Sequence, residues 1–312
     1  MVRRAYRVII TTTAVAAAWA ACAKPAPRPP AGATRLFRDD LGRTVRIPVE
    51  PRRVVCTSPE VTEVLFALGA GGRVVGVVRG CDWPPGARKL PAVGDFSNVS
   101  IEKVAALKPD LIITTGHEQE RIVEQLEPLR VPTIVFLASD IASVTRNVEA
   151  LGIIVGEEGA AKDIVTAFDE KIAAVTSKVE KVPLDRRPRV YLEISPEPLM
   201  TVADGSFVHD AITLAGGVNV GANLPRPYSR IDAEAVIAQD PEVIILCHGA
   251  AKVADVAART GWRGITAVEE GRVYEVDPDL VLRAGPRLAD GITLLHGLFY
   301  STHIEEGEAG EP

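Results

Sequence analysis

Ser100-Ile101-Glu102-Lys103-Val104-Ala105-Ala106-Leu107-Lys108-Pro109-Asp110-Leu111-Ile112-Ile113 and Asp232-Ala233-Glu234-Ala235-Val236-Ile237-Ala238-Gln239-Asp240-Pro241-Glu242-Val243-Ile244-Ile245 are one fourteen-residue pattern written twice. Each copy opens on an N-cap candidate, Ser100 or Asp232, and places a glutamate two residues later. Two apolar turns follow, then a proline that stops the helix before an aliphatic strand. The repeat predicts two similar, Rossmann-like α/β lobes facing each other across a cleft. Glu102 and Glu234 fall in the first helical turn, off the core-facing stripe, and are predicted to be exposed. One acidic side chain at the same place on each lobe suits a ligand carrier that docks symmetrically on a two-fold partner.

The length of 312 residues allows two lobes that each bury a core, and an apolar fraction of 47% fits a globular chain. The formal charge of -6 becomes three units more negative once Arg3, Arg4 and Arg7 are removed, which leaves no electrostatic footprint for nucleic acid. Those arginines precede an uncharged apolar run over residues 8–21 and the small residues Ala20-Ala21-Cys22. Residues 1–22 therefore read as an export signal, too short to span a hydrocarbon core of about 30 Å. Ala20-Ala21-Cys22 resembles the bacterial lipoprotein processing site, whose cysteine becomes the lipidated first residue. Trp19 stands where that pattern has an aliphatic, and plain cleavage and release is the alternative. Cys56 and Cys247 lie in aliphatic runs and read as buried fillers. Cys81 lies in a turn, as a free thiol or as the partner of Cys56.

Residues 23–35 form a tether, since four prolines among the eleven residues 23–33 cannot build a core. The first lobe is placed at residues 36–138. It begins with a small hairpin turning at residues 40–42, a buried strand at 54–57 and a helix over 59–68 with proline at its first position. Strands at 74–78, 111–114 and 133–136 and a helix over 118–129 complete it. Residues 139–182 are helical. Ile164, Phe168, Ile172, Val175 and Val179 mark one face of a helix over 157–181, about 38 Å long, enough for a rigid strut between lobes. An ordinary surface helix of one lobe is the alternative. The second lobe, 183–304, holds a strand at 190–194, a helix at 207–215, the second copy of the repeat, a strand at 273–276 and a helix over 287–303. An acidic tail, 305–312, ends the chain.

Several segments resemble one family in order along the chain. They are Arg53-Val54-Val55-Cys56-Thr57-Ser58-Pro59 with Thr62-Glu63, Asp82-Trp83-Pro84-Pro85, Leu107-Lys108-Pro109-Asp110-Leu111-Ile112, Ala215-Gly216-Gly217-Val218-Asn219 and Arg283-Ala284-Gly285-Pro286-Arg287-Leu288. Over residues 36–300 the sequence is similar to the periplasmic substrate-binding proteins of ABC importers for cobalamin, siderophore iron and haem. The resemblance implies two lobes joined by a single long helix, little hinge motion, and a ligand held between the lobes. It also implies a monomer outside the cytoplasm that serves a permease dimer with its ATPase, held to the membrane by a lipid anchor on Cys22.

The turn Asp82-Trp83-Pro84-Pro85, followed by Phe96, looks most like the cobalamin binders, so the ligand implied is a corrinoid. A siderophore-iron chelate or haem is the alternative. Family position places Trp83's turn, Phe96 and Tyr228 along the ligand, with two further aromatic positions occupied here by Thr115 and Ile194. A flat, largely apolar macrocycle needs aromatic faces and a few polar groups at its edge. Arg226 and Arg283 are candidates for that edge, or solvated loop charges. Asp82 is a candidate contact or a local cap. His117 and His248 follow the two repeat strands, where the crevice of an α/β sheet opens, and imidazole is an axial ligand for cobalt or iron. Ordinary hydrogen bonding is their alternative role. Glu102 and Glu234 align with the family's two glutamates that pair with arginines of the transporter, or else they merely favour the helix dipole.

No resident cofactor or metal site of the protein is expected. Neither G-x-S-x-G, a P-loop nor H-E-x-x-H occurs, so an enzyme is not expected. An adhesin or structural lipoprotein would not need two matched glutamates.

Overall fold

The structure is a computed structural model and describes residues 32–116 and 120–301. The export signal with Cys22, His117, and the acidic tail lie outside the described residues. The expected hairpin forms from β1 (Thr34–Arg38) and β2 (Thr44–Pro48), paired antiparallel. Next come β3 (Val54–Cys56), α1 (Pro59–Ala67) and β4 (Val74–Val77). A short pair, β5 (Gly94–Asp95) and β6 (Asn98–Val99), leads into α2 (Ile101–Ala106), β7 (Leu111–Thr115), α3 (Glu120–Leu126) and β8 (Thr133–Phe136). The four longer strands after the hairpin make a parallel sheet in the order β4-β3-β7-β8. Crossover helices cover a parallel sheet on both faces, so its strands read as unbroken aliphatic runs. The hairpin is hooked to the edge strand β8, where the Leu137 amide donates to Asp40 Oδ2 at 2.7 Å.

The linking segment is two helices, α4 (Ile141–Val155) and α5 (Glu158–Val179). Gly156, left-handed at φ 72°, caps α4 and turns the chain back. Gly152 allows the close return, because a Cβ there would lie 2.5 Å from that of Ala161. Val148, Leu151 and Ile154 of α4 and Ala161 of α5 join the first core, while Val144, Phe168, Val175 and Val179 join the second. The long helix α5 thus passes from one core to the other over its 22 residues, about 33 Å. It does so beside α4, so the bridge is a helical pair rather than one strut. Ile164 and Ile172 of the expected buried face are only partly covered.

The second lobe starts with β9 (Arg189–Pro196), β10 (Leu199–Val202), α6 (Phe207–Leu214), β11 (Val218–Asn219) and β12 (Tyr228–Arg230). Then follow α7 (Ala233–Gln239), β13 (Val243–Leu246), α8 (Val253–Ala258), α9 (Thr266–Glu269), β14 (Val273–Glu275), α10 (Pro278–Val281) and α11 (Leu288–Phe299). Its sheet runs β12-β10-β9-β13-β14, with β11 also on β9. β9, β13 and β14 are parallel, and β10 and β12 are antiparallel additions.

The two repeats are equivalent in three dimensions. Val54 pairs with Leu111 and Val190 with Val243, so each repeat strand meets the first parallel strand of its lobe in the same register. Both helices end on a left-handed residue before the proline, Lys108 at φ 47° and Asp240 at φ 43°. A proline ring disfavours the right-handed helical region in the residue before it. An arginine then caps each helix end. Arg53 donates to the carbonyls of Leu107 and Lys108, and Arg189 to those of Gln239 and Asp240. Asp110 returns the favour to the Arg53 amide at 3.0 Å and Glu242 to that of Arg189 at 2.9 Å. The N-caps differ: Ser100 accepts from the Lys103 amide, whereas Asp232 makes no side-chain cap.

Candidate functional site

The carboxyl ends of parallel strands open onto the crevice of an α/β sheet. A cavity of about 650 Å³ lies there, within the size range of small-molecule sites, roughly 300–1,000 Å³. Glu60, Val61 and Val64 of α1 wall it from the first lobe, with Phe96, Thr115 at the end of β7 and Phe136 at the end of β8. Ile194, Phe207, Arg226, Tyr228, Leu282 and Ala284 wall it from the second lobe, and Asn147 and Leu151 of α4 reach it from the bridge. The lining is mainly apolar and aromatic. Polar contact is limited to a few side chains.

Of the residues singled out from sequence, Phe96, Arg226 and Tyr228 line this cavity, as do Thr115 and Ile194. Arg226 has no ion-pair partner among the described residues. Trp83, Asp82, Arg283 and His248 are not part of the lining, and His117 lies outside the described residues.

Asp82 and Arg283 are engaged with each other. Arg283 is only 12% exposed, and its Nη2 lies 2.9 Å from Asp82 Oδ1, 2.7 Å from Asp279 and 3.0 Å from the Gly80 carbonyl. Arg287 makes the parallel contact, 2.7 Å to Glu63 of α1, with its guanidinium 4.8 Å from the centre of the Trp83 ring. The segments that carry the family resemblance, around Glu63, Asp82-Trp83 and Arg283 to Arg287, thus meet across the lobes as an ionic clasp. One face of the Trp83 ring thus lies over a cation of the clasp, and the side chain is otherwise 44% exposed beside the cavity-lining residues rather than among them.

His248 is diverted by alternation along the strands. Ile194 belongs with the second core on the face of β9 that borders the cavity, whereas Tyr191 belongs to the core on the opposite face. Glu193 shares the parity of Tyr191 and is fully buried. Arg259 grips it through two bonds of 2.6 and 2.7 Å, and His248 Nε2 stands 2.9 Å away. The imidazole is therefore bound into a buried ionic cluster on the face away from the cleft.

Glu60 is a cavity group that the sequence did not single out. Thr115 Oγ1 donates to its Oε1. Burial holds the carboxyl above the ordinary range, opposed by the Thr115 hydrogen bond, its own backbone amide and the more distant Arg283, and reinforced by Glu63. A carboxyl whose folded pKa exceeds its unfolded value makes the folded state weaker as pH rises through that interval. Glu60→Gln is therefore expected to raise Tm by a few degrees at neutral pH. The gain should fade as pH falls to the usual carboxylate range, and a gain constant from pH 4 to 8 in thermal melts would contradict this.

Glu102 and Glu234 are both exposed, at equivalent positions on the two repeat helices. The Glu102 carboxyl is held below its usual range by its own backbone amide and by the Ser100 hydroxyl, 2.8 Å away. Cys56, Cys81 and Cys247 are free and buried. Burial raises the Cys56 and Cys81 thiols, and pushes Cys247 up to about 12, so all three stay protonated at neutral pH.

A largely apolar cavity walled by two α/β lobes and backed by a helical bridge defines a two-lobed binding protein that takes its ligand in the cleft. The chain belongs to the periplasmic binding protein family, which matches residues 54–280. It is the substrate-binding component of an ABC transporter, not an enzyme, and acts with permease and ATPase components. An uncharacterized ABC transporter substrate-binding lipoprotein of Bacillus subtilis (strain 168), YvrC, is 31% identical over 273 residues, 86% of either chain. A crystal structure of the vitamin B12-binding protein BtuF of Vibrio cholerae is similar with a TM-score of 0.70 and 25% identity, covering 81% of this chain and 98% of that one. A heme-binding protein of Pseudomonas aeruginosa has a TM-score of 0.71 and 27% identity, covering 80% and 93%.

Proposed function

We propose that the ligand is cobalamin or a closely related corrinoid, captured outside the cytoplasm and delivered to a two-fold permease. The observation that carries this reading is the cavity itself. Phe96, Phe136, Phe207 and Tyr228 contribute aromatic surface from both lobes, and Arg226 is the one arginine in the lining. A corrin ring needs such faces and a few edge contacts. An anionic ferric siderophore calls instead for a cluster of arginines. The likeness to a vitamin B12-binding protein supports the same choice. Haem is the second reading, favoured by Tyr228 in the lining, since a phenol can ligate haem iron, and by the likeness to a heme-binding protein.

In this reading Cys22 carries a lipid that holds the protein at the envelope membrane, in keeping with the lipoprotein from Bacillus subtilis. Glu102 and Glu234 present the docking face. Calorimetric titration of the mature protein with cyanocobalamin, haemin and a ferric hydroxamate tests the ligand. Saturable heat is expected with cyanocobalamin. Saturation by haemin or the ferric chelate alone would overturn the assignment.

A further inference from the structure

Three acids of the clasp beside the cleft are matched with arginines, and Glu60 is not. Asp82 and Asp279 share Arg283, and Glu63 holds Arg287. Glu60, one turn before Glu63 on α1, has no basic group within ion-pair distance among the described residues. Its hydrogen-bond partners are the Thr115 hydroxyl and its own backbone amide, and the Glu60 and Thr115 side chains lie together on the cavity wall. A carboxyl withdrawn from water without a cation is unfavourable unless something else satisfies it. Burial duly shifts the group towards its neutral form. The residues that wall the cavity around and opposite it supply no cation to it. Val61, Val64, Phe96, Phe136 and Ile194 are apolar, and Arg226, the cation of the second lobe, is not paired with it.

The cavity side of Glu60 is thus left open to a ligand. A carboxylate accepts a hydrogen bond from an amide or hydroxyl, and a neutral carboxyl can both give one to and take one from a primary carboxamide. A carboxamide suits either state. A ligand carboxylate meets repulsion from the ionised form and is held only if Glu60 takes up and keeps a proton to donate to it, whereas an amide or hydroxyl needs no such uptake. Arg226, from the other lobe, has the opposite preference and favours carbonyl or anionic groups.

We propose that Glu60, positioned by Thr115, is a specificity-determining residue of the cleft: it pairs with an amide or hydroxyl on the ligand's edge and disfavours a carboxylate there. With Arg226 on the opposite lobe, it also orients the ligand, donor edge to the first lobe and acceptor edge to the second. The inference rests on the cleft as the ligand site, but not on the ligand being a corrinoid.

Two matched pairs of probes test it: cyanocobalamin against its monocarboxylic acids, in which one side-chain amide is hydrolysed, and haemin dimethyl ester against haemin. Within whichever pair binds, the wild type is expected to hold the uncharged form about ten-fold more tightly than an acid form. In Glu60→Gln the ratio should fall below about two-fold, because the amide can donate to a carboxylate. Thr115→Val, which frees the carboxyl to move, should give an intermediate ratio. A wild-type ratio near one, or one unchanged in Glu60→Gln, overturns the role of Glu60. Discrimination seen only with the porphyrin pair, without cyanocobalamin binding, rejects the corrinoid and leaves the role of Glu60 standing. Binding of neither pair removes both.

Discussion

Reversal of both exposed acids, Glu102→Lys with Glu234→Lys, is expected to abolish delivery of ligand to the transporter while leaving ligand affinity within about two-fold of wild type. Both side chains lie on the repeat helices and neither lines the cavity. A single exposed ion pair contributes little, roughly 0–1 kcal/mol, so loss of one charge should slow uptake only modestly. Reversal is different in kind, because it sets like charges against each other at two matched points, which costs several kcal/mol and blocks the docked register. Uptake of labelled ligand into vesicles carrying the permease and ATPase, read beside titration of the isolated protein, separates the two properties. Uptake at the wild-type rate in the double variant would remove the docking role.

The second large effect concerns stability. Arg259→Ala is expected to destabilise the fold by about 3–5 kcal/mol, because Glu193, fully buried, loses both bonds of its bidentate partner. For a chain of this size that lowers Tm by roughly 10 °C. The loss also removes a cation stacked 4.6 Å from the ring centre of Trp262. Replacing the pair together, Glu193→Gln with Arg259→Met, should recover much of the loss, since no buried charge is then left uncompensated. Ligand affinity should change little in either variant, because the cluster sits on the sheet face away from the cleft. Thermal and urea melts measure the difference. A loss below about 1 kcal/mol for Arg259→Ala would show that His248 and Tyr191 alone can satisfy Glu193.

Both the repeat and the aliphatic strands were legible because they depend on neighbours in sequence. Residues 133–136 form a strand at the expected positions, and the proline of each repeat ends its helix where it should. The antiparallel strands β10 and β12 escaped notice, since Leu199–Val202 and Tyr228–Arg230 are too short to show a period of their own. The break at Gly156 was visible as a glycine. That α4 then lies against α5 is a matter of packing, to which the close approach of Gly152 and Ala161 contributes.

The site was less legible. Phe96 and Tyr228 came from their places in a resemblance, and the cavity holds both. Asp82, Arg283 and Trp83 were drawn to the ligand by the same reasoning, yet lie in the clasp between lobes. Asp279, four residues before Arg283, is a local partner, but nothing in the local sequence shows that Asp82 is within reach as well. The only signal for His248 was its parity with Leu246 on the strand, which assigns it to the face away from the cleft. Glu60 lies in the first turn of a helix, and it becomes a cavity group only because Thr115, fifty-five residues later, comes to lie beside it.

Two lobes, their repeated helix and strand, and an exposed acid on each follow from composition and periodicity alone, because hydrophobic pattern and proline act over a few residues at a time. Which charges are spent on one another and which remain for a ligand was decided only by tertiary packing. Ion pairing and desolvation depend on distances across a cleft, and residues 60, 115, 226 and 283 acquire those distances only when the chain closes on itself.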